Sequence, residues 1–285
     1  MSTQPAIDVI PGGVAAFFAE TFVLFRRSFK KLLRRPIAIY FSLIQPVIWL
    51  LLFGQIFNNV ARLPNLTDYF GGKSYFQFII AAVLLQTLLF SAPQSGIGII
   101  ADMQSGFLNK LLTTPVHRMA ILLGRIFGDL VRMILQGSII VVLGWLFGQL
   151  QQDPVRYEYG IPGVLGALAI ALLFGLGLAG FNVCVALRTK NTESTFLIAN
   201  FLALPLLFSS SAQLPLPLLP SWLQRVAMFN PVTYAIDSMR LLLNGPQAVH
   251  GIEPGLLLLK TVLILGAIAA VTLTLAVRSF RRSVR

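Results

Sequence analysis

Six stretches of the chain, at about 37–57, 75–100, 119–148, 161–187, 194–213 and 256–277, are apolar almost without interruption, and short polar or basic segments separate them. A helix needs about 20 apolar residues to cross the hydrocarbon core of a bilayer, and each stretch is about that long or longer. A soluble helix carries a single apolar stripe, whereas these are apolar all round. The pattern therefore predicts an all-α membrane protein with six transmembrane helices. Ahead of them, Val14–Arg35 differs in kind. Val14, Phe17, Phe18, Phe22, Phe25, Phe29, Leu32 and Leu33 recur at helical spacing, and Arg26, Arg27, Lys30, Lys31, Arg34 and Arg35 follow the apolar part. A secretion signal has the opposite order. This segment is read as an amphipathic helix in the cytoplasmic interface, its cations near anionic lipid headgroups. The chain divides into a cytoplasmic N-terminus at 1–36, a transmembrane domain at 37–277 and a basic tail at 278–285.

Breaker residues refine this picture. Pro36 suits the start of the first span, and Gln45-Pro46 within it predicts a kink or local unwinding. The second span runs past Pro93 and Gly96-Ile97-Gly98. The fourth is rich in Gly163, Gly166, Ala167, Ala171, Gly175, Gly177, Ala179 and Gly180, small residues that let helices approach closely in lipid. The connection 214–255 carries prolines at 215, 217 and 220, then Trp222. Within it, Asn230-Pro231 offers an N-cap followed by Pro at N1, so a helix is expected to about Asn244, stopped by Gly245-Pro246.

Composition agrees with a membrane protein: 56% of residues are hydrophobic and 11% charged, against roughly 25% charged in soluble domains. The net charge of +12 raises the question of nucleic acid, and its placement answers it. With the N-terminus and the even-numbered connections on one side, the opposite side holds only Arg62, Lys73, Arg156, Arg225, Arg240 and Lys260 of the 22 Lys and Arg. The positive-inside rule assigns the richer side to the cytoplasm, so both termini are expected there, in the plasma (inner) membrane, with lipids and not nucleic acid as the basic residues' partners. Cys184 is the only cysteine, and His117 and His250 fall on opposite sides. Neither a disulfide nor a metal site is expected within one chain. Arg125, Asp129 and Arg132 stand at i, i+4 and i+7 on the third span, where they can pair on one helix face.

The segment from Ala101 to Arg118, between the second and third spans, is the most distinctive on the cytoplasmic side. Leu108, Leu111 and Leu112 lie at i, i+3 and i+4 with Phe107 beside them, Gly106 breaks the preceding helix and Pro115 ends this one. A short helix showing an apolar face to the cytosol either docks in a partner's groove or folds back on its own chain, and spacing leaves both open.

Here a resemblance enters. Gly106-x-Leu108-x-x-Leu111-x-x-x-Pro115-x-x-Arg118 resembles the intracellular coupling helix of ABC transmembrane type-2 permeases. Asn230-Pro231-Val-Thr-Tyr234-Ala-x-Asp237-x-x-Arg240 resembles that family's C-terminal external signature, most of all in the daunorubicin-resistance branch of drug exporters. The likeness spans about residues 14–285. It implies a homodimer, or a heterodimer with a similar permease, bound to two separate ABC ATPase subunits. ATP and Mg would sit on those subunits, the coupling helix in a cleft of each, and short external re-entrant helices would precede the last span. The chain itself has no Gly-x-x-x-x-Gly-Lys-[Ser/Thr] loop and no nucleophile–base or paired-carboxylate arrangement, so the resemblance implies a transport subunit and not an enzyme. Gln45, Ser209, Ser210, Ser211 and Gln213 are candidates for a substrate path, and the mostly apolar interior suits an amphipathic drug or a lipid. An ion-coupled carrier would need acidic groups at mid-membrane and a lipid-group transferase would need clustered Asp, His and Glu. Asp129, beside two arginines, meets neither need.

Overall fold

The computed structural model describes residues 14–34, 36–58, 66–113, 116–150, 154–249 and 251–283. Every regular element among them is helical. In chain order these are α1 (Val14–Leu33), α2 (Pro36–Ile56), α3 (Tyr75–Ser91), α4 (Pro93–Gln104), α5 (Phe107–Leu112), α6 (Arg118–Leu150), α7 (Gly160–Thr189), α8 (Thr192–Phe208), α9 (Ser221–Ala227), α10 (Pro231–Asn244) and α11 (Pro254–Ser283), with single 3-10 turns at Thr67–Phe70, Leu216–Leu218 and Pro246–Ala248. Among the described residues four helical stretches are long and apolar enough to cross a membrane: Tyr75–Gln104, Met119–Leu150, Gly160–Thr189 and Pro254–Arg282. Shorter apolar helices occupy Ser42–Ile56 and Thr192–Phe208.

The most buried element is α3. Nearly every one of its side chains is enclosed, because α2, α6, α7, α8 and α10 all pack around it. A helix surrounded on all sides has to be apolar all round, which is why its sequence lacks a polar stripe. The glycines of α7 act as expected of small residues. A Cβ on Gly163 would run into the Leu242 carbonyl of α10, and one on Gly180 would crowd Thr272 and Leu273 of α11. In lipid, such close approach replaces the hydrophobic drive that holds soluble helices together.

Three expectations are modified. The second apolar run is two helices, since Pro93 has no N–H and the ladder fails at Ala92: Ser95 N–H turns to the Ala92 carbonyl, three residues back. The fifth run stops being helical at Phe208, short of 213, because the Ser211, Ala212 and Gln213 carbonyls are taken by side chains from other elements. In the first run, by contrast, α2 continues through a buried Pro46 without unwinding.

The amphipathic α1 lies along α6. Gly124 and Gly128, one turn apart on α6, present bare backbone to Leu24 and Ser28, and a side chain at either glycine would collide with them. Phe18, Phe22 and Val23 are left exposed. This end of the bundle, where α1, the start of α6 and the end of α11 converge, is called the basic end below.

Candidate functional site

At the basic end, Gly106 adopts φ +68°, a backbone region that costs glycine nothing. It ends α4 and redirects the chain into α5, whose first hydrogen bond runs from Lys110 N–H to the Gly106 carbonyl. Leu108 is turned inward and buried against Ile99, Ile121, Leu122 and Phe280, with Leu111 half-buried at the edge of the same cluster. Phe107 lies beneath the Arg27 guanidinium, whose carbon is 3.3 Å from the ring centroid. Lys110 and Thr113 are exposed. So part of the apolar face read from the sequence is filled by the chain itself, and among the described side chains Lys110, Thr113 and the edge of Leu111 face outward. Pro115 and the side chains of Leu112 and Arg118 fall outside the described residues.

Two contacts from α1 bracket this helix. Before it, Arg27 reaches Asp102 at 3.5 Å. After it, the Glu20 carboxylate accepts from the His117 backbone N–H at 2.8 Å and meets the His117 ring nitrogen Nδ1 at 3.0 Å. Arg27, which the sequence suggested for lipid headgroups, is therefore spent within the protein. Behind α5 the charges continue inward. Arg125 donates to Asp102 at 2.7 Å and stands 4.0 Å from Asp129. Asp129 is 3.6 Å from Arg132, and Arg132 donates to the Ser91 carbonyl at 3.1 Å. The ladder expected within α6 is present, and Asp102, Arg27 and Ser91 extend it to three other helices.

The second assembly is at the opposite end and gathers most of the remaining sequence-predicted residues. Asn230 caps α10, its side chain accepting from Val232 N–H, with Pro231 at N1. The Asn230 amide also donates to the Leu206 carbonyl and to Ser209 Oγ. Arg240, 1% exposed, extends from α10 into the turn after α8. Its Nη1 donates to the Ser211 carbonyl at 2.6 Å, Nη2 to the Ala212 carbonyl at 2.8 Å and Nε to the Phe78 carbonyl at 3.3 Å. Nη1 also reaches Asp237 Oδ1 at 3.3 Å, and the guanidinium stacks 3.5 Å above the Phe78 ring. Ser211 Oγ donates to Asp237, Ser210 Oγ to the Leu207 carbonyl, and Tyr75 to the Gln213 carbonyl. Tyr234 donates to the Met228 carbonyl.

One buried guanidinium thus ties α3, α8 and α10 together, and its planar fork of donors suits three carbonyls that a lysine could not span. Of the candidate path residues, Ser210 and Ser211 are buried in this knot, Ser209 and Gln213 lie at its edge, and Gln45 is apart from it, exposed on α2. Nearby, the Gln77 amide donates to the Arg156 carbonyl and to Asn244. Tyr157 donates to the Val141 carbonyl, and burial pushes its phenol above the ordinary value, keeping it a donor.

Sequence reasoning missed Phe78 as the partner of Arg240, and Tyr75 and Gln77 as the partners of Gln213 and Asn244. The polar pair at the mouth of an otherwise apolar run was the available sign. It missed Glu20 as well, although an acid inside an amphipathic apolar face calls for a partner.

Among the described residues no group of three or more His, Cys, Asp or Glu is placed to hold a metal ion. The chain matches the ABC-2 type transporter family over residues 19–244. It is 34% identical over 228 residues to a putative transport permease, ycf38, of Cyanophora paradoxa, covering 79% of this chain and 74% of that one. It is 24% identical over 210 residues to the daunorubicin resistance ABC transporter permease protein DrrB1 of Streptomyces coeruleorubidus, covering 74% and 70%. Likewise it is 23% identical over 241 residues to a probable doxorubicin resistance ABC transporter permease protein, DrrC, of Mycobacterium tuberculosis, covering 83% of each. With that match across most of its length and a set of membrane-length apolar helices, the chain is a multi-pass transport permease of the ABC-2 type transporter family.

Proposed function

We propose that this chain is the membrane-spanning subunit of an ATP-binding-cassette exporter, driven by a separate ATPase and moving an amphipathic drug-like or lipid substrate out of the cytoplasm. The observation that carries this reading is α5. It is a one-turn helix redirected by a left-handed glycine, bracketed by α1 on both sides and standing at the basic end with Lys110 and Thr113 exposed. ATP and Mg belong to the ATPase, two copies per complex, and α5 is the element that enters its cleft. The permease is then a dimer of this chain or of this chain with a similar one, C₂ pairs being the commonest oligomers. We place the first and fifth spans at that interface, where the exposed apolar faces of α2 (Ile44, Ile48, Leu52) and α8 (Phe201, Leu204, Phe208) would be covered. A tagged permease purified from its native membrane is expected to bring down an ATPase in equal number. Recovery of a strict monomer with full ATP-driven transport would end the dimeric reading.

In this reading six spans, α2, α3 with α4, α6, α7, α8 and α11, place both termini in the cytoplasm, as the Lys and Arg distribution requires. The α10 assembly is then external. A cysteine introduced at Gln247 is expected to react with an impermeant thiol reagent applied from outside, and one at Asn109 to remain protected until the membrane is opened. The reverse pattern would invert the topology and place the α10 knot, not α5, on the ATPase side.

A further inference from the structure

The charged contacts at the basic end form one continuous chain between α5 and the end of α3. It starts at the Phe107 ring of α5, passes through Arg27, Asp102, Arg125, Asp129 and Arg132, and ends on the Ser91 carbonyl of α3. Both ends are informative. Phe107 belongs to the helix assigned to the ATPase. Ser91 is the last residue of α3, immediately before the break at Ala92-Pro93. There the Ser95 N–H goes to Ala92, and the Ser91 carbonyl takes its donor from Arg132, on a different helix. The break is thus held in its present shape partly by a guanidinium.

The joints of this chain are not equal. Arg125 is tight on Asp102, at 2.7 Å, and loose on Asp129, at 4.0 Å. At the loose joint both facing atoms, Arg125 Nε and Asp129 Oδ2, are buried and have no hydrogen-bond partner. A buried charged donor and a buried charged acceptor left open toward each other are costly, and closing about 1 Å would satisfy both. The Nη2 end of Arg125 occupies the space that a Cβ on Gly98 of α4 would take, so any side chain there would collide with the guanidinium. Nearby, Arg27, Ser28, Asp102, Phe107 and Arg125 border a small cavity of about 30 Å³ beside α5.

We propose that Arg125 is the positioning residue that couples α5 to the break in the second span by exchanging between two carboxylates. This rests on the assignment of α5 to the ATPase. In the state described here Arg125 is held by Asp102, and Asp129 is left to Arg132. When the ATPase displaces α5, Asp102 moves with the end of α4 and releases Arg125, which closes on Asp129. Asp129 then shares its charge between two arginines, Arg132 loosens from it, and the donor to the Ser91 carbonyl is weakened. No proton is transferred. The element has two arrangements of the same charges, which is what a coupling route needs beyond mere adjacency.

Gly98 is part of this device, since a Cβ there would displace the guanidinium from its present place. Asp129→Asn is the informative variant. It leaves the 2.7 Å Arg125–Asp102 pair that holds the resting state and removes the second station. Arg125→Gln removes both, and Arg125→Lys keeps a cation able to visit either.

The test uses the permease–ATPase complex in nanodiscs and reads hydrogen–deuterium exchange of the segment 89–97 with and without a non-hydrolysable ATP analogue. In the wild type the analogue is expected to speed exchange there about fivefold or more, the low end of ordinary coupling between sites. In Asp129→Asn and Arg125→Gln the ATPase is expected to stay bound and hydrolyse ATP while that response disappears, and Arg125→Lys is expected to restore it. A merely structural role would alter the resting exchange and leave the response to nucleotide in place. An unaltered response in Asp129→Asn overturns the proposal, as does a wild-type segment indifferent to the analogue. In both cases a bound, active ATPase would leave the exporter reading standing. Loss of the ATPase from the wild-type complex would overturn both.

Discussion

Replacing Leu111 by Asp is expected to leave the permease folded and inserted while the ATPase no longer copurifies and ATP-driven export stops. The reason is the division of labour within α5. Leu108 is buried in the chain's own cluster, and Leu111 is only half-buried at its rim. A carboxylate at 111 can turn to water in the free permease. In a docked complex the same carboxylate would be enclosed in the partner's groove without a cation, a placement worth several kcal/mol against binding. Each 1.4 kcal/mol is tenfold in affinity, so about 100-fold or more should be lost. Leu108→Ala is the contrasting variant. It deletes buried methyl groups beside Ile99, Leu122 and Phe280, and is expected to cost the permease itself about 2–5 kcal/mol, visible as a lower unfolding temperature. Normal ATPase recovery and normal export by Leu111→Asp would show that α5 is only a turn packed on its own bundle.

Local and long-range causes separate what the sequence made legible from what it did not. The α10 start at Asn230-Pro231 and its stop at Gly245 are local chemistry, a side-chain cap and a backbone region that favours glycine, and they appear where expected. The Arg125, Asp129 and Arg132 ladder was legible because i, i+3 and i+4 spacing on a helix is a geometric certainty once the helix is granted. Asp102, 23 residues from its partner Arg125, has no such local signature. The same holds for the break at Ala92. A proline in an apolar run can be absorbed, as Pro46 is in α2, or can divide the helix, as Pro93 does, and neighbouring helices decide which. At Pro93 the decision is visible in Arg132, which supplies the donor for Ser91. The polar run Ser209–Gln213 shows the same limit. Its composition announces polar groups at the end of an apolar helix. Whether they face a path or a neighbour depends on Arg240, 29 residues beyond Ser211, and on Tyr75, 138 residues before Gln213.

The largest effect on stability is expected from Arg240. Arg240→Met keeps the length and apolar stem of the side chain and removes its hydrogen bonds. The Ser211, Ala212 and Phe78 carbonyls would lose a buried donor, Asp237 its cation, and the Phe78 ring its stacked guanidinium. Breaking a buried pair from one side costs about 3–5 kcal/mol, because the remaining charge stays enclosed, and each orphaned carbonyl adds a desolvation penalty of about 1–3 kcal/mol where water cannot reach it. The turn after α8 should then loosen from α3 and α10, since the hydrogen bonds of Asn230, Tyr75 and the Ser211–Asp237 pair are left to hold it. Thermal unfolding of the purified permease is expected to fall by on the order of 10 °C, with protease cleavage appearing within 209–220. Arg240→Lys should recover little, since one ammonium cannot serve carbonyls on both α3 and the turn after α8. Asp237→Asn, by comparison, keeps an acceptor for Ser211 and should be milder, which separates the loss of charge from the loss of the fork. An Arg240→Met protein as stable and as protease-resistant as the wild type would mean that the knot is held by Asn230, Tyr75 and the Ser211–Asp237 bond, and that the guanidinium is a passenger in it.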